Sequence, residues 1–273
     1  MDQYAVFGNP IAQSKSPFIH SAFAEATGEQ IEYKSQLVAV DDFASAAQKF
    51  FQQGGKGLNI TAPFKGDAYS YATQLSARAR RAGAVNTLAL QADGTILGDT
   101  TDGVGLVNDI CNNLNWPIKD KSILILGAGG AVRGVLQSLF EAEPVSICIA
   151  NRTASKAVSL AKGFADLGKI QGIGLDQLGE ITQGFDLVIS ATSAGLVGEE
   201  VNLPTNILKP TSNAYDMIYS AKPTAFMRWA SPLAAKTSDG LGMLVGQAAA
   251  SFALWRGVQP ETQTIIAKLR ENL

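Results

Sequence analysis

The run Ser122-Ile123-Leu124-Ile125-Leu126 is followed at once by Gly127-Ala128-Gly129-Gly130-Ala131 and then by helical periodicity to about Glu141. An apolar run without alternation belongs to a strand covered on both faces, as in a parallel sheet carrying helices on either side. Glycines at 127 and 129 allow a tight turn and a close backbone approach to pyrophosphate at the helix N-terminus. The third position of that fingerprint, usually small, is Val132, and its bulk is expected to push the helix slightly outward.

A second apolar strand, Val145 to Ala150, leads into Asn151-Arg152-Thr153-Ala154-Ser155-Lys156. An NAD site usually offers a carboxylate here to the ribose 2′-hydroxyl, and none is present. Arg152, a hydroxyl and Lys156 at a helix start suit a phosphate instead, which favours NADP over NAD. A helix over Ser155 to Leu167 and a strand over Asp186 to Ser190 continue the repeated strand and helix of a Rossmann-type doubly wound domain.

The N-terminal part alternates in the same way. Strands are expected near Tyr4 to Phe7, Ile31 to Leu37 and Gly57 to Thr61. A helix begins at Pro17, capped by Ser16 and stopped at Gly28; another is capped by Asp41 or Asp42 and stopped by Gly54-Gly55. Pro63 breaks the strand pattern, and a helix then runs to about Arg81. Ala84 to Leu90 and Thr95 to Leu97, joined by Asp93-Gly94, predict a hairpin. A helix from about Gly103 to Leu114, closed by Pro117, marks the domain boundary, and Leu241 to Leu273 is helical. The fold class is α/β with two domains: a substrate-binding domain over 1–101, a Rossmann-like NADP-binding domain over 102–240, and C-terminal helices over 241–273 returning to the first.

Net charge bounds the partners. Twenty-two Lys and Arg against twenty-four Asp and Glu leave a net charge of -2, so there is no basic surplus for nucleic acid or an anionic membrane surface. No stretch approaches the roughly 18 apolar residues of a membrane span, and the N-terminus lacks a basic segment followed by an apolar one, so the cytoplasm is the expected compartment. Cys111 and Cys148 lie in apolar company without metal-ligand spacing and read as buried free thiols. A single histidine, His20, excludes a multi-His metal site and makes a His-based triad unpromising. It reads as a structural or surface residue.

Proton handling then falls to other groups. In Asn59-Ile60-Thr61-Ala62-Pro63-Phe64-Lys65, alternation puts Asn59 and Thr61 on one face, and the proline turns the chain before Lys65. Asn86-Thr87 and Asp99-Thr100-Thr101-Asp102-Gly103 supply further polar residues near strand ends, where α/β sites are built. Lys65 and Asp102 form the candidate proton-handling pair.

These motifs together resemble the shikimate dehydrogenase family, NADP-dependent oxidoreductases of the aromatic amino acid pathway. The resemblance rests on Phe7-Gly8-Asn9-Pro10-Ile11 leading to Ser14-Lys15-Ser16-Pro17, on Gly57 to Lys65, and on Gly83-Ala84-Val85-Asn86-Thr87. It continues through Thr101-Asp102-Gly103, Gly127 to Ala131, Asn151-Arg152-Thr153, Tyr215-Asp216-Met217, and Asp239 to Met243 with Gln247. It implies reversible reduction of 3-dehydroshikimate to shikimate with NADPH. Ser14 and Ser16 would hold the substrate carboxylate, with Thr61, Lys65, Asn86, Asp102, Tyr219 and Gln247 around the ring, and Lys65 and Asp102 as the catalytic pair. Gly127, Ala128, Gly129, Gly130 and Ala131 would take the pyrophosphate. Asn151, Arg152, Thr153, Ala154, Ser155 and Lys156 would take the ribose phosphate, and Met217 and Gly240 the nicotinamide end. The resemblance assigns no metal, and a monomer or homodimer is expected.

Three positions depart from the family pattern: Thr100 stands for the usual Asn, Gln13 where His is frequent, and Ala77 where an acid is common. Thr100 is expected to loosen the turn that aims Asp102. Two alternatives remain: an NAD-dependent enzyme oxidising quinate as well as shikimate, and a non-catalytic NADP-sensing relative.

Overall fold

The computed structural model describes residues 1–192 and 202–273. It divides into one unit of Met1–Gly105 with Val245–Ala267 and another of Leu106–Leu244 with Lys268–Leu273.

The chain of the first unit runs β1 (Asp2–Gly8), α1 (Ser16–Thr27), β2 (Ile31–Leu37), α2 (Phe43–Gln52) and β3 (Gly55–Ile60). It continues through α3 (Lys65–Tyr71), β4 (Gln74–Leu75), α4 (Ala77–Ala82), β5 (Thr87–Leu90) and β6 (Ile96–Asp99). These strands form one sheet in the order β2-β1-β3-β5-β6-β4. The β1, β2 and β3 pairings are parallel, whereas β5 is antiparallel to both β3 and β6. The expected hairpin is therefore present, turning where Gly94 takes a φ of +83°.

Three local expectations need correction. The helix expected to reach Arg81 is cut by β4, because Ala72 turns extended at its C-cap and Ser76 starts α4 anew by accepting the Ala79 N–H at 3.1 Å. Ser16 does not cap α1 but lies inside it, behind Lys15, and Asp42 precedes α2 without a side-chain cap bond. Gly28 does end α1, at φ +73° in the left-handed region that glycine tolerates.

The second unit begins within α5 (Asp102–Asn108), which passes through a π turn at Asp109–Asn113. It continues with β7 (Ser122–Leu126), α6 (Gly130–Glu141), β8 (Ser146–Asn151), α7 (Ala154–Lys162), β9 (Ile170–Gly174) and β10 (Phe185–Ser190). After these come β11 (Leu208–Asp216), α8 (Ala225–Ala230), β12 (Lys236–Ser238), α9 (Leu241–Arg256) and α10 (Gln263–Glu271). The sheet is parallel throughout, in the order β9-β8-β7-β10-β11-β12. Counted from β7 this is the 3-2-1-4-5-6 order of doubly wound dinucleotide-binding sheets. Its continuous apolar strands split between two cores: Ile123, Ile125, Ile147 and Ile149 on one face, Leu124, Leu126, Cys148 and Ala150 on the other. Val132, expected to push α6 outward, is wholly buried in the first of these cores.

β9, β11 and β12 carry no strong sequence signal: β9 is Ile-Gln-Gly-Ile-Gly and half exposed, and β12 is an edge of Lys-Thr-Ser. Residues from Val245 group with the first unit, while Lys268–Leu273 group with the second, where Arg270 pairs with the buried Asp239.

Within the first unit α9 seals one face of the sheet. Trp255 stacks on Tyr4 with centroids 4.7 Å apart, donates from Nε1 to the Leu88 carbonyl at 3.0 Å, and sits where a Cβ on Gly57 would be. His20 lies in this aromatic layer, stacked on Tyr33 at 4.2 Å and neighboured by Phe23, Phe252 and Trp255. It is fully buried, and neither ring nitrogen has a hydrogen-bond partner. Burial lowers its pKa to about 3, outweighing the opposing effect of Asn59. Of the two thiols, Cys148 is buried and Cys111 only half-buried; both are free, with pKa values raised by burial.

A base whose folded pKa is depressed from 6.5 to about 3 binds its proton preferentially when unfolded. Its contribution to stability is complete above the unfolded value and is lost as pH falls through the window between the two, by several kcal/mol in total. Urea midpoints measured across this window should fall with acidification, and His20→Phe should make that slope shallower; an unchanged slope would contradict the burial argument.

Candidate active site

Parallel pairing of β1 with β3 brings their C-terminal ends side by side. Beyond those ends Thr61 donates its backbone N–H to the Phe7 carbonyl at 2.9 Å, and Asn9 donates to Ala62 at 3.1 Å. Gly8 leaves room for this approach, since a Cβ there would meet the Thr61 methyl at 2.4 Å. The loop after β1 carries Ser14, whose hydroxyl accepts the Ser16 N–H at 3.3 Å. Ser14 and Thr61 are thus placed on adjoining loops, with Ser16 at the first residue of α1.

Lys65 opens α3, and its carbonyl accepts the Val85 N–H at 3.0 Å, tying it to the chain entering β5. Its Nζ lies 2.5 Å from Asp102 Oδ2, at the start of α5. Asn86 Nδ2 donates to Asp102 Oδ1 at 2.8 Å, to Thr101 Oγ1 at 3.0 Å, and more weakly to Gln247 Oε1 at 3.4 Å. Lys65, Asp102, Asn86 and Gln247, all predicted from sequence, therefore meet in one hydrogen-bonded group.

The turn that aims Asp102 is bonded on both sides of Thr100. Thr100 is buried and gives its N–H to Asp99 Oδ1 at 2.8 Å, and Thr101 gives its own to Asn86 Oδ1 at 2.9 Å. Asp99 is held in turn by a bidentate Arg78 at 2.8 and 2.6 Å. A carboxylate one residue earlier thus bonds the backbone of this turn. Asp99 carries a sequence signal only as part of the Asp99 to Gly103 run, and Arg78 carries none. Ser251 also escaped notice: it bonds Asn59, Thr87 and Thr101, and its only sequence signal is its place four residues beyond Gln247 on one helix face.

In the second unit Gly127 ends β7 at φ +115°, with its would-be Cβ 3.2 Å from the Ala191 carbonyl. Beyond it Gly129 and Gly130 face open space and Ala131 is exposed. Gly129 precedes α6 without any side-chain cap, so the first turn of that helix presents backbone N–H groups to an incoming anion. Arg152, Thr153, Ala154, Ser155 and Lys156 are all exposed where β8 passes into α7, and Asn151 Nδ2 bonds the Thr153 carbonyl at 3.0 Å. Glycine at 240 is required by close packing, since a Cβ there would meet the Met217 carbonyl oxygen at 2.3 Å. Tyr219, which also belongs to this unit, is half-buried, and burial raises its phenol pKa above 10.0, so it carries its proton near neutral pH.

A 3-2-1-4-5-6 parallel sheet with an open glycine turn, together with a Lys–Asp pair set among amides and hydroxyls, defines a dinucleotide-dependent oxidoreductase of the α/β class. Comparison with known proteins narrows the class. Residues 6–88 match the shikimate dehydrogenase substrate binding domain, 109–210 the shikimate / quinate 5-dehydrogenase model, and 240–270 the shikimate 5′-dehydrogenase C-terminal domain. The chain is 56% identical over 273 residues to shikimate dehydrogenase (NADP(+)) of Cellvibrio japonicus, covering 100% of this chain and 98% of that one. It is 53% identical over 277 residues to the protein of the same name from Saccharophagus degradans, covering 100% of both. A crystal structure of shikimate 5-dehydrogenase from Thermus thermophilus in complex with NADP(H) and shikimate superposes with a TM-score of 0.87 at 31% identity, over 100% of both chains. The chain belongs to the shikimate dehydrogenase family.

The glycine turn makes opposite demands at its two ends. Gly127→Ala should destabilise the protein by about 1–2 kcal/mol, the usual cost of a side chain in left-handed backbone. Gly129→Ala, whose Cβ enters open space from extended backbone, should change stability by less than about 0.5 kcal/mol. Urea unfolding of the two variants distinguishes them, and equal losses would contradict the geometry.

Proposed function

We propose that this chain catalyses the reversible NADPH-dependent reduction of 3-dehydroshikimate to shikimate, with Lys65 and Asp102 as its proton-handling pair. The observation that carries this reading is the Lys65 ammonium 2.5 Å from an Asp102 carboxylate that Asn86 holds from its other oxygen. When bound, NADPH supplies the hydride that converts the ring ketone to an alcohol. Lys65 gives the ring oxygen its proton in that direction and takes it back on oxidation. Asp102 keeps the ammonium aimed at this oxygen, and a carboxylate fixed by an amide on one side and an ammonium on the other reorganises little as charge develops.

Substrate recognition falls to hydroxyls and amides. Ser14 and Ser16 bind the carboxylate; Thr61, Asn86, Tyr219 and Gln247 bond the ring hydroxyls. A site that bonds each hydroxyl leaves buried polar groups unpaired with an analogue lacking one, and so rejects it strongly. The cofactor residues fit a dinucleotide phosphate. The uncapped start of α6 and the open space over Gly129 and Gly130 suit the pyrophosphate, with Gly127, Ala128 and Ala131 completing the turn. Arg152 and Lys156, with Asn151, Thr153, Ala154 and Ser155, form a cationic and hydroxylic patch for the ribose 2′-phosphate. Met217 and Gly240 back the nicotinamide. Among the described residues no helix is long and apolar enough to cross a membrane. The protein acts on small molecules in the cytoplasm, as a monomer or homodimer.

Nicotinamide absorbance on mixing the protein with shikimate and NADP tests the activity directly; no change would overturn it. Quinate turnover with NADP or NAD is measured alongside, and parity of quinate and NAD with shikimate and NADP would favour the broader enzyme. Lys65→Ala should lower kcat by at least a hundredfold while NADP binding is retained, a loss within the range for general acid–base groups. Joint replacement by Arg152→Ala and Lys156→Ala should reduce the NADP-over-NAD preference in kcat/KM by about a hundredfold, the worth of two charge-assisted hydrogen bonds.

A further inference from the structure

Behind the Lys65–Asp102 pair lies a buried chain of side-chain hydrogen bonds that runs in one direction. Tyr33 donates its hydroxyl to Asn59 Oδ1 at 2.7 Å, and Asn59 Nδ2 donates to Ser251 Oγ at 2.9 Å. Ser251 and Thr87 hydroxyls are 2.7 Å apart, Asn59 Nδ2 also donates to Thr87 Oγ1 at 3.2 Å, and Thr87 donates to Asn86 Oδ1 at 2.9 Å. Asn86 Nδ2 then donates to Asp102 Oδ1 at 2.8 Å.

Proton counting fixes the direction. The Thr101 backbone N–H can only donate, so the Asn86 atom it meets at 2.9 Å is the oxygen, and the amide nitrogen must face Asp102. Thr87 has one proton and gives it to that oxygen, so the Ser251–Thr87 bond uses the proton of Ser251. The Ser251 hydroxyl also faces the carbonyl of Gln247 at 3.0 Å and Thr101 Oγ1 at 3.2 Å. Ser251 and Thr87 are 0% exposed, so no water can replace a lost hydroxyl without a new cavity. In such a chain each bond polarises the next, and an unsatisfied buried member costs more than its bond contributes.

We propose that Ser251 and Thr87 are positioning residues for the reaction: by fixing the Asn86 amide between α9 and the β6–α5 turn, they hold Asp102, and through it Lys65, in the reactive arrangement. Ser251 also sets Gln247, one helical turn earlier, against the same amide at 3.4 Å. The inference rests on the dehydrogenase reading above.

The test compares the parent chain with Ser251→Ala, Thr87→Val, Thr87→Ser and the Ser251→Ala/Thr87→Val double variant, under steady-state turnover of shikimate with NADP. Each hydroxyl-deleting single variant should lose about tenfold in kcat and raise the shikimate KM several-fold, as expected for one misplaced buried hydrogen bond. The KM for NADP should stay within about twofold, and the double variant should fall no further than the worse single, because both act through the one Asn86 amide. Thr87→Ser, which restores the hydroxyl, should recover most of the activity. A loss of folded protein alone would lower kcat while leaving the shikimate KM unchanged. Single variants matching the parent, losses that multiply in the double variant, or Thr87→Ser as impaired as Thr87→Val would overturn the positioning role. Should Ser251→Ala fail to fold, the Thr87→Val and Thr87→Ser contrast decides alone. A parent chain inactive on shikimate would instead overturn the dehydrogenase reading, and this inference with it.

Discussion

The Asn86 amide is the interaction on which the first unit's polar centre depends. A primary amide carries an acceptor and two donor hydrogens on one rigid plane, so a single side chain can join groups of opposite need. Its oxygen takes the Thr101 N–H while its nitrogen serves the Asp102 carboxylate, and its backbone bonds Ile60 on one side and Asp99 on the other. An Asp in its place would set two carboxylates against each other, and a Leu would strand the buried Thr101 N–H. Strand β3, the β6–α5 turn and helix α9 converge on this side chain, and the Lys65–Asp102 pair follows from where they meet.

The second unit follows the opposite logic. There the core is apolar and complete on both sheet faces, and the chemistry lies at the C-terminal edge of the strands in groups left unsatisfied by the protein itself. Backbone N–H groups at the start of α6, glycines without side chains and an exposed Arg152–Lys156 patch are suited to a ligand because the fold makes no use of them. The first unit buries and bonds the groups around Asn86, which fixes geometry; the second leaves its glycine turn and its Arg152–Lys156 patch exposed, which permits binding.

Most of the architecture was legible where side-chain patterning is strong. The apolar strand at Ser122–Leu126, the glycine turn behind it, the hairpin turning at Gly94 and the stop at Gly28 each depend on local rules of burial or backbone freedom. The elements that escaped were the short edge strands β4, β9 and β12, whose few residues carry no period and which exist because a neighbouring strand offers unpaired backbone, and the largely polar interior strand β11. The helix expected through residue 81 failed for the same reason: pairing with β6 at Gln74 and Leu75 outweighed local helical propensity. The bonding around Thr100 was not legible, because the Asp99 that it meets is gripped by Arg78, a contact across twenty-one positions of sequence that no local pattern reveals.

Sequence alone determined which groups were available: one histidine, a lysine after Pro63, an acid at 102, glycines at 127 and 129, and a cationic pair with no carboxylate after β8. These are choices of residue type at positions defined by local backbone rules. The tertiary structure decided what each group does. It put the lone histidine in an aromatic core with no polar partner, and so outside the chemistry. It also brought residues 59, 87 and 251 into one chain behind residue 102. Burial and hydrogen-bond direction set those roles, and both depend on distant strands and helices meeting in space, which spacing along the chain does not encode.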